Sequence, residues 1–299
     1  MIDLSKLPPP DMVEPLDFES ILAERKARLL ALTPEADRAA LAAALELESE
    51  PIAMLLQENA YRELTLRARI NDAARGIMLA TATGADLDNL AALLGVARLT
   101  ISAGDPAAVP PVAPEVESDE SLRRRAQLAI ESATVAGSRG AYEFHALGAS
   151  ADVADVAVDS PMPGEVRVVV LSRSGTGEPS ALTLAAVQSA LSAEEVRPLC
   201  DYVSVEGVRV TPFAVQAKLI IQPGPAPSTV AQQARAALEA YLQRPQRIGA
   251  SVPLSAIYAA LHQPGVARVE LTTPAADINI GPREAAHCVS IALTAEAMT

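Results

Sequence analysis

Aromatic side chains are scarce in this sequence: tryptophan is absent, and Phe, Trp and Tyr together make up 3% of 299 residues. Alanine, leucine and valine must fill the core instead. Interfaces usually anchor on aromatics, so the scarcity counts against an aromatic-rich receptor-docking module. Cysteine is nearly missing too. Cys200 and Cys288 are too few for a disulfide framework and fit a chain made in a reducing cytosol, although one pair between them stays open on sequence alone. Positive charge is in deficit, with 24 Lys and Arg against 37 Asp and Glu, a formal net charge of −13. Phosphate binding relies on clustered Lys and Arg, so direct contact with nucleic acid or an anionic membrane is not expected. The acidic excess serves equally as a solubility device. No apolar run approaches the ~20 residues that span a bilayer. The first residues, MIDLSKLPPPDMVEPLDFES, lack a positive region followed by an apolar core, so no secretory leader is expected.

Half of the residues are apolar, which excludes a disordered chain, and the length has room for roughly two or three domains. The organising stretch runs from Glu50 to Leu99. Pro51 to about Ala82 reads as one long helix: proline is tolerated at the first helical position, and good helix formers follow without interruption until Gly76. Ile52, Leu55, Leu56, Ala60, Leu64, Ala68, Ala74, Ile77 and Met78 recur at mostly helical spacing. Glu58, Arg62, Glu63, Arg67, Arg69, Asn71 and Asp72 occupy the other faces. Helices gain most of their stability from packing, so this one needs burial on other helices, those of other chains included. Leu55, Leu56, Leu64, Ile77 and Met78 are the candidate partner interface. Thr83-Gly84-Ala85 breaks the helix, and Asp86 is placed to cap a short second one. That helix carries Leu87, Leu90, Ala91 and Leu94 on one face and stops at Gly95. Val96 to Ile101 reads as a strand.

The flanking segments complete the plan. Residues 1–15 are proline-rich with Ile2, Leu4, Leu7, Met12 and Val13 interleaved, a disordered end or an arm that orders on a partner. Helices are expected over 16–32 and from Pro34 to about Glu48, and short turns fold them toward the long helix. Residues 102–117, with four prolines, read as a semi-rigid linker and domain boundary. Ser118-Asp119-Glu120 caps a helix that carries Arg123, Arg124 and Arg125, and Gly137-Ser138-Arg139-Gly140 turns into another. Val153–Ser160 and Glu165–Ser172 are strands, the second the strongest in the chain. A helix over 181–195, strands over 201–210 and 211–222, helices over 230–243 and 253–263, and strands over 266–272 and 287–294 follow. The stretches YEFHALGASADVADVAVDSP and YAALHQPGVARVELTTP echo each other as helix, turn, strand and proline, which predicts two related α+β units. The fold class is α+β. An extended arm (1–15) and a helical region (16–101) precede the linker (102–117), and two small α+β domains (118–210 and 211–299) follow it.

Chemical constellations are thin. His145 and His262 sit in similar places in the echoed units, which favours capping or packing. His287 and Cys288 adjoin in a strand and point to opposite faces, so they do not chelate one metal. Asp152, Asp155 and Asp159 are not spaced to share one strand face and read as turn and edge residues. Asp86 and Asp88 read as helix-capping residues, short of the oxygen ligands of a calcium loop. Ser172–Gly177 has glycines without the Lys-Ser/Thr end of a phosphate loop. A hydrolase built on Asp152, Asp155 or His145 is the enzymatic alternative, and no constellation supports it. Catalytic, cofactor-binding and metal-binding residues are therefore not assigned. The run Arg123, Arg124, Arg125 reads as a solvated helix face, with contact to an acidic neighbour in an assembly as the alternative.

The string GADLDNLAALLGVARL, after the helix ENAYRELTLRARINDAARGIMLATAT, resembles the baseplate J family, the baseplate wedge proteins of contractile-tailed phages and R-type phage-tail-like bacteriocins. LDFESILAERKARLLAL with ALELESEP, then ESDESLRRRAQ and AGSRGAYEFHAL, extend the resemblance in order over nearly the whole chain. The resemblance implies a structural protein, not an enzyme. Two copies would join one copy of a smaller protein of the tail protein I family through a bundle of the N-terminal helices. The α+β domains would join neighbouring wedges into a ring around the tail hub, beside other baseplate proteins such as hub and sheath-initiator components. Assembly would take place in the bacterial cytoplasm and end in the virion or tail-like particle, with no membrane insertion.

Overall fold

The computed structural model describes residues 3–8, 10–134, 137–224, 226–243 and 247–298. Ile2 and Pro9 of the expected arm, and Pro225 of the turn expected at 223–227, lie outside the described residues. The chain divides into two compact units, Met1–Ala97 and Arg98–Thr299.

The first unit is helical, with α1 (Phe18–Leu32), α2 (Glu35–Leu45), α3 (Pro51–Gly76) and α4 (Gly84–Leu93). Asp17 caps α1 by accepting from the Ser20 N–H at 3.1 Å, which satisfies one of the unpaired donors of the first turn. α1 lies on α3 through Ile21, Leu22 and Ala60, with Phe18, Leu56 and Leu64 packed around them. Lys26 Nζ ties α1 to the end of α2 by donating to the Leu45 carbonyl at 2.9 Å.

α3 stops at Gly76, six residues before the expected end. The Thr81 hydroxyl donates to the Arg75 carbonyl at 2.7 Å and so takes one of the terminal acceptors. A Cβ at Gly76 would sit 2.9 Å from the Asp86 carboxylate, so a side chain there would displace that carboxylate. The residue at the cap position of α4 is Thr83, and Asp86 lies inside the first turn, where its charge complements the helix dipole. The stop at Gly95 has a defined geometry. Gly95 has φ +72°, its N–H donates to Ala92 and the Val96 N–H donates to Ala91, both at 3.0 Å, a Schellman closure.

The second unit begins with a small hairpin. β1 (Thr100–Ser102) pairs antiparallel with β2 (Glu115–Val116), and Asp105 bridges Val112. The strand expected over 96–101 is thus reduced to a short one, and the proline-rich 102–117 segment pairs with itself rather than running as a spacer. Two mixed sheets follow. α5 (Asp119–Ser132), α6 (Arg139–Ala149) and α7 (Ala181–Leu191) accompany the first, whose order is β3 (Val153–Asp159), β4 (Glu165–Ser172), β5 (Tyr202–Gly207). β6 (Arg209–Ile221) is central in the second, between β7 (Val266–Thr273) and β8 (Glu284–Ala297), with α8 (Pro227–Leu242) and α9 (Leu254–Leu261) packed on it. Each central strand has one antiparallel neighbour (β3 or β7) and one parallel neighbour (β5 or β8). The echoed stretches fall on α6–β3 and α9–β7, a helix and an antiparallel edge strand in each sheet. The chain order differs, because β4 follows its antiparallel neighbour whereas β6 precedes it.

β4 is buried on both faces, as a continuous apolar run predicts. Val168 and Val170 join the core under α5, α6 and α7, while Val169 and Leu171 meet Val208, Ala285 and Ile248 from the second sheet and its loops. These contacts make one body of the two sheets.

Candidate functional site

The structure separates the five residues of the expected partner stripe. Leu56 and Leu64 pack on α1 within the chain, so those two of the five belong to an internal face. Leu55 and Ile77 are exposed, at 60% and 71%. Met78 is half-buried just past the end of α3. Leu66 and Ile70, absent from the expected set, are exposed at 66% and 59%. The signal for them was present in the sequence, since Leu66 lies eleven residues from both Leu55 and Ile77. Near the C-terminal end of α3, a recess of about 600 Å³ is lined by Ala73, Gly76, Ile77, Asp86, Leu90 and Leu93 among others. Polar contacts fix the α1 side. Arg25 donates to Glu63 at 2.9 Å, and Arg67 donates to Glu63 at 2.6 Å. Bonding from these guanidinium groups, Arg25 first, holds the Glu63 carboxyl below its ordinary range. Buried Asn71 donates to the Glu14 carbonyl at 2.8 Å and accepts from the Glu14 N–H at 3.1 Å, which fastens the incoming chain to α3.

The arginine run is not a solvated face. Arg125 is buried and donates to Glu117 at 2.6 Å, and the Glu117 side chain is fully buried. Glu117 also accepts from the Ser121 hydroxyl at 2.7 Å and the Leu99 N–H at 3.2 Å. Arg124 pairs with Asp155, which also accepts from the Ile248 N–H at 2.9 Å. Arg123 is half-buried. Two of the three guanidinium groups are therefore committed to internal carboxylates. Asp155 is buried at 4% exposure rather than an open edge residue. The cause is a bulge: the register shifts between Val153 and Asp155, so Val153 and Val156 both face the helices.

Asp152 organises the Ser172–Gly177 loop. It accepts from the hydroxyls of Ser172 at 2.7 Å, Ser174 at 2.8 Å and Thr183 at 2.9 Å. Partial burial pushes its pKa up, and these hydroxyl bonds outweigh that and hold it below its ordinary value. The loop closes on itself, with the Ser172 N–H on the Gly177 carbonyl at 2.8 Å. A recess of about 760 Å³ beside it is lined by Asp152, Arg173, Arg235, Glu239, His287 and Cys288, among others. Arg235 and Glu239 pair at 2.8 Å. Burial pushes the Cys288 thiol up, which makes it a poor nucleophile. Among the described residues, no three His, Cys, Asp or Glu side chains gather as a metal would need. His145 meets Phe144 edge-on, with ring centroids 5.3 Å apart, and burial holds its pKa below the ordinary value. His262 ends α9. Asp159 pairs with Arg167 at 2.6 Å. Asp152, Asp155 and Asp159 are each engaged in a separate internal network.

These geometries hold a protein together and offer aliphatic surface, and the comparisons with known proteins agree. Residues 48–105 match the Baseplate J-like N-terminal domain, 134–207 the Baseplate J-like central domain, and 213–294 the Baseplate J-like protein C-terminal domain. Baseplate protein J of Escherichia phage P2 is 49% identical over 288 residues, covering 96% of this chain and 95% of that protein. The chain belongs to the baseplate J family. A baseplate J protein is a structural component of a phage-type tail and not an enzyme. No helix among the described residues is long and apolar enough to cross a membrane.

Proposed function

We propose that this baseplate J protein is a wedge component of a contractile tail. Two copies join one smaller protein of the tail protein I family through the helical region, residues 16–101. The two α+β domains, 118–210 and 211–299, join neighbouring wedges into a ring around the tail hub, next to sheath-initiator components. Assembly takes place in the bacterial cytoplasm, in a phage or an R-type bacteriocin particle. The observation that carries this reading is the aliphatic surface of α3, Leu55, Leu66 and Ile70, with Ile77 just past its end, on a helix of 26 residues. A surface of that kind is normally covered by a partner. Motion on triggering would shift such interfaces between two arrangements.

Native mass spectrometry of the chain, alone and co-expressed with a smaller protein of the tail protein I family, tests the proposal. The expected species holds two copies of this chain and one of the partner. A chain that stays monomeric in the partner's presence overturns it.

A further inference from the structure

Two sheets joined by a single residue would pivot there unless a second contact held them. β5 ends at Gly207 and β6 begins at Arg209. Val208 between them is buried, and its N–H donates to the Val170 carbonyl of β4 at 2.9 Å. The junction therefore sits on the β5 side of β4. The loop that leads into α9 grips the opposite side. The Ile248 N–H donates to buried Asp155 on β3 at 2.9 Å, and the Ile248 side chain packs on the cluster that holds Val169 and Leu171. Arg247 donates to Glu120 on α5 at 3.3 Å. β3 and β5 flank β4, and neighbouring strands lie about 4.8 Å apart, so the gripped strand is roughly 10 Å from the one that carries the junction.

The loop is also fastened to its own side. The Gly249 N–H donates to the Glu284 carbonyl at 2.9 Å, and Val252 exchanges both backbone bonds with Ile278 at 3.0 Å. The Leu254 N–H donates to Asp277 at 2.7 Å. A loop tied to the second sheet and holding the far strand of the first turns a pivot into a fixed angle. That angle matters in a ring. Head-to-tail contacts close only when the rotation from one subunit to the next is correct, and a subunit that meets its neighbours through two domains has this rotation set by the angle between them.

We propose that Arg247 and Ile248 are a latch that fixes the angle between the two α+β domains, and that ring closure depends on it. The proposal rests on the reading that these domains join neighbouring wedges, and it adds the residues that set the geometry of the join.

Spin labels test the latch. Full-length chain carries them at L182C and T272C, an exposed position in each domain, in a C200S/C288S background. Pulsed electron paramagnetic resonance should find a single narrow distance between them, and a broad distribution in this otherwise unaltered chain overturns the latch. R247A/I248A should widen the distribution at least twofold. Arg124 keeps Asp155 paired in that variant, so both domains should stay folded by circular dichroism. An unchanged width in the folded variant overturns the latch as well. In cells that supply the other tail proteins, the same double substitution without the labels should lower the count of assembled tails at least tenfold by electron microscopy, while its complex with the smaller tail protein stays intact by native mass spectrometry. Full tail yield from a chain with a widened distribution overturns the dependence of the ring on the latch. A wild-type chain that forms no wedge overturns the wedge reading and the ring's dependence together, and the distance distribution still decides the latch.

Discussion

At Asp155 a strand bulge, a buried carboxylate and a distant loop meet. Its oxygens answer Arg124 from α5 and the Ile248 N–H from the second sheet's side of the unit. Removing one partner of a buried ion pair leaves the other charge unpaired, which costs about 3 kcal/mol. D155A should lower the unfolding free energy of the larger unit by about that much in urea titrations, and should deprotect the amide of Ile248 in hydrogen exchange. Asp152 makes a pH prediction. Its folded pKa lies below its unfolded value, so the unfolded chain binds the extra proton and stability rises with pH across that interval. The contribution is complete above the unfolded carboxylate pKa and is lost as pH falls through the folded one. D152N should flatten the acid limb of stability plotted against pH, and an unchanged limb would contradict the hydroxyl network. Asp152 is the turn residue its sequence suggests, but Asp155 was not legible as a structural centre. Parity along a strand assumes an unbroken ladder, and the bulge between Val153 and Asp155 breaks it. The arginines were misread for a related reason: Glu117 and Asp155, their partners, reach them only through tertiary folding.

At the level of elements, caps and continuous runs were readable and coverage was not. Ser118 accepts from the Ser121 N–H, and Glu165–Ser172 is the doubly buried strand its sequence announces. These signals are local. Which side of α3 is covered depends on where α1 lands, so periodicity alone merged Leu55 with Leu64. The structure now separates them, and mutation should follow. L64A should destabilise the helical unit by about 2 kcal/mol through lost packing. L66A should change the isolated chain by no more than about 0.5 kcal/mol while weakening the assembled complex. Circular dichroism melts of the chain, beside its retention in the complex, measure both. Gly95→Ala should cost about 1 kcal/mol, because an alanine at φ +72° is strained. The hairpin hidden in 102–117 was illegible because prolines signal a break and carry no information on pairing across it.

The whole molecule contrasts two kinds of unit. In the helical one, Ile21, Leu22 and Ala60 form a buried cluster, while Leu55, Leu66, Ile70 and Ile77 are exposed. The other has, among the described residues, two mixed three-stranded sheets beside the β1–β2 hairpin, with buried clusters on both faces of β4 and around β6. Hydrogen exchange on the isolated chain should therefore find α3 less protected than β4 and β6, with α3 slowing at least tenfold in the assembled complex. The α+β class and the existence of two sheets were readable from alternating strands and helices. The different strand order in the two sheets was not, because pairing partners lie far apart in sequence. That separation has a consequence in time. β6 is flanked by β8, which follows it only after α8, α9 and β7, so the central strand leaves the ribosome long before its parallel neighbour exists. The helical unit, made of contacts nearer in sequence, meets no such delay. During synthesis the surface for association is finished first, and the nascent chain carries a waiting, half-paired strand until β8 arrives.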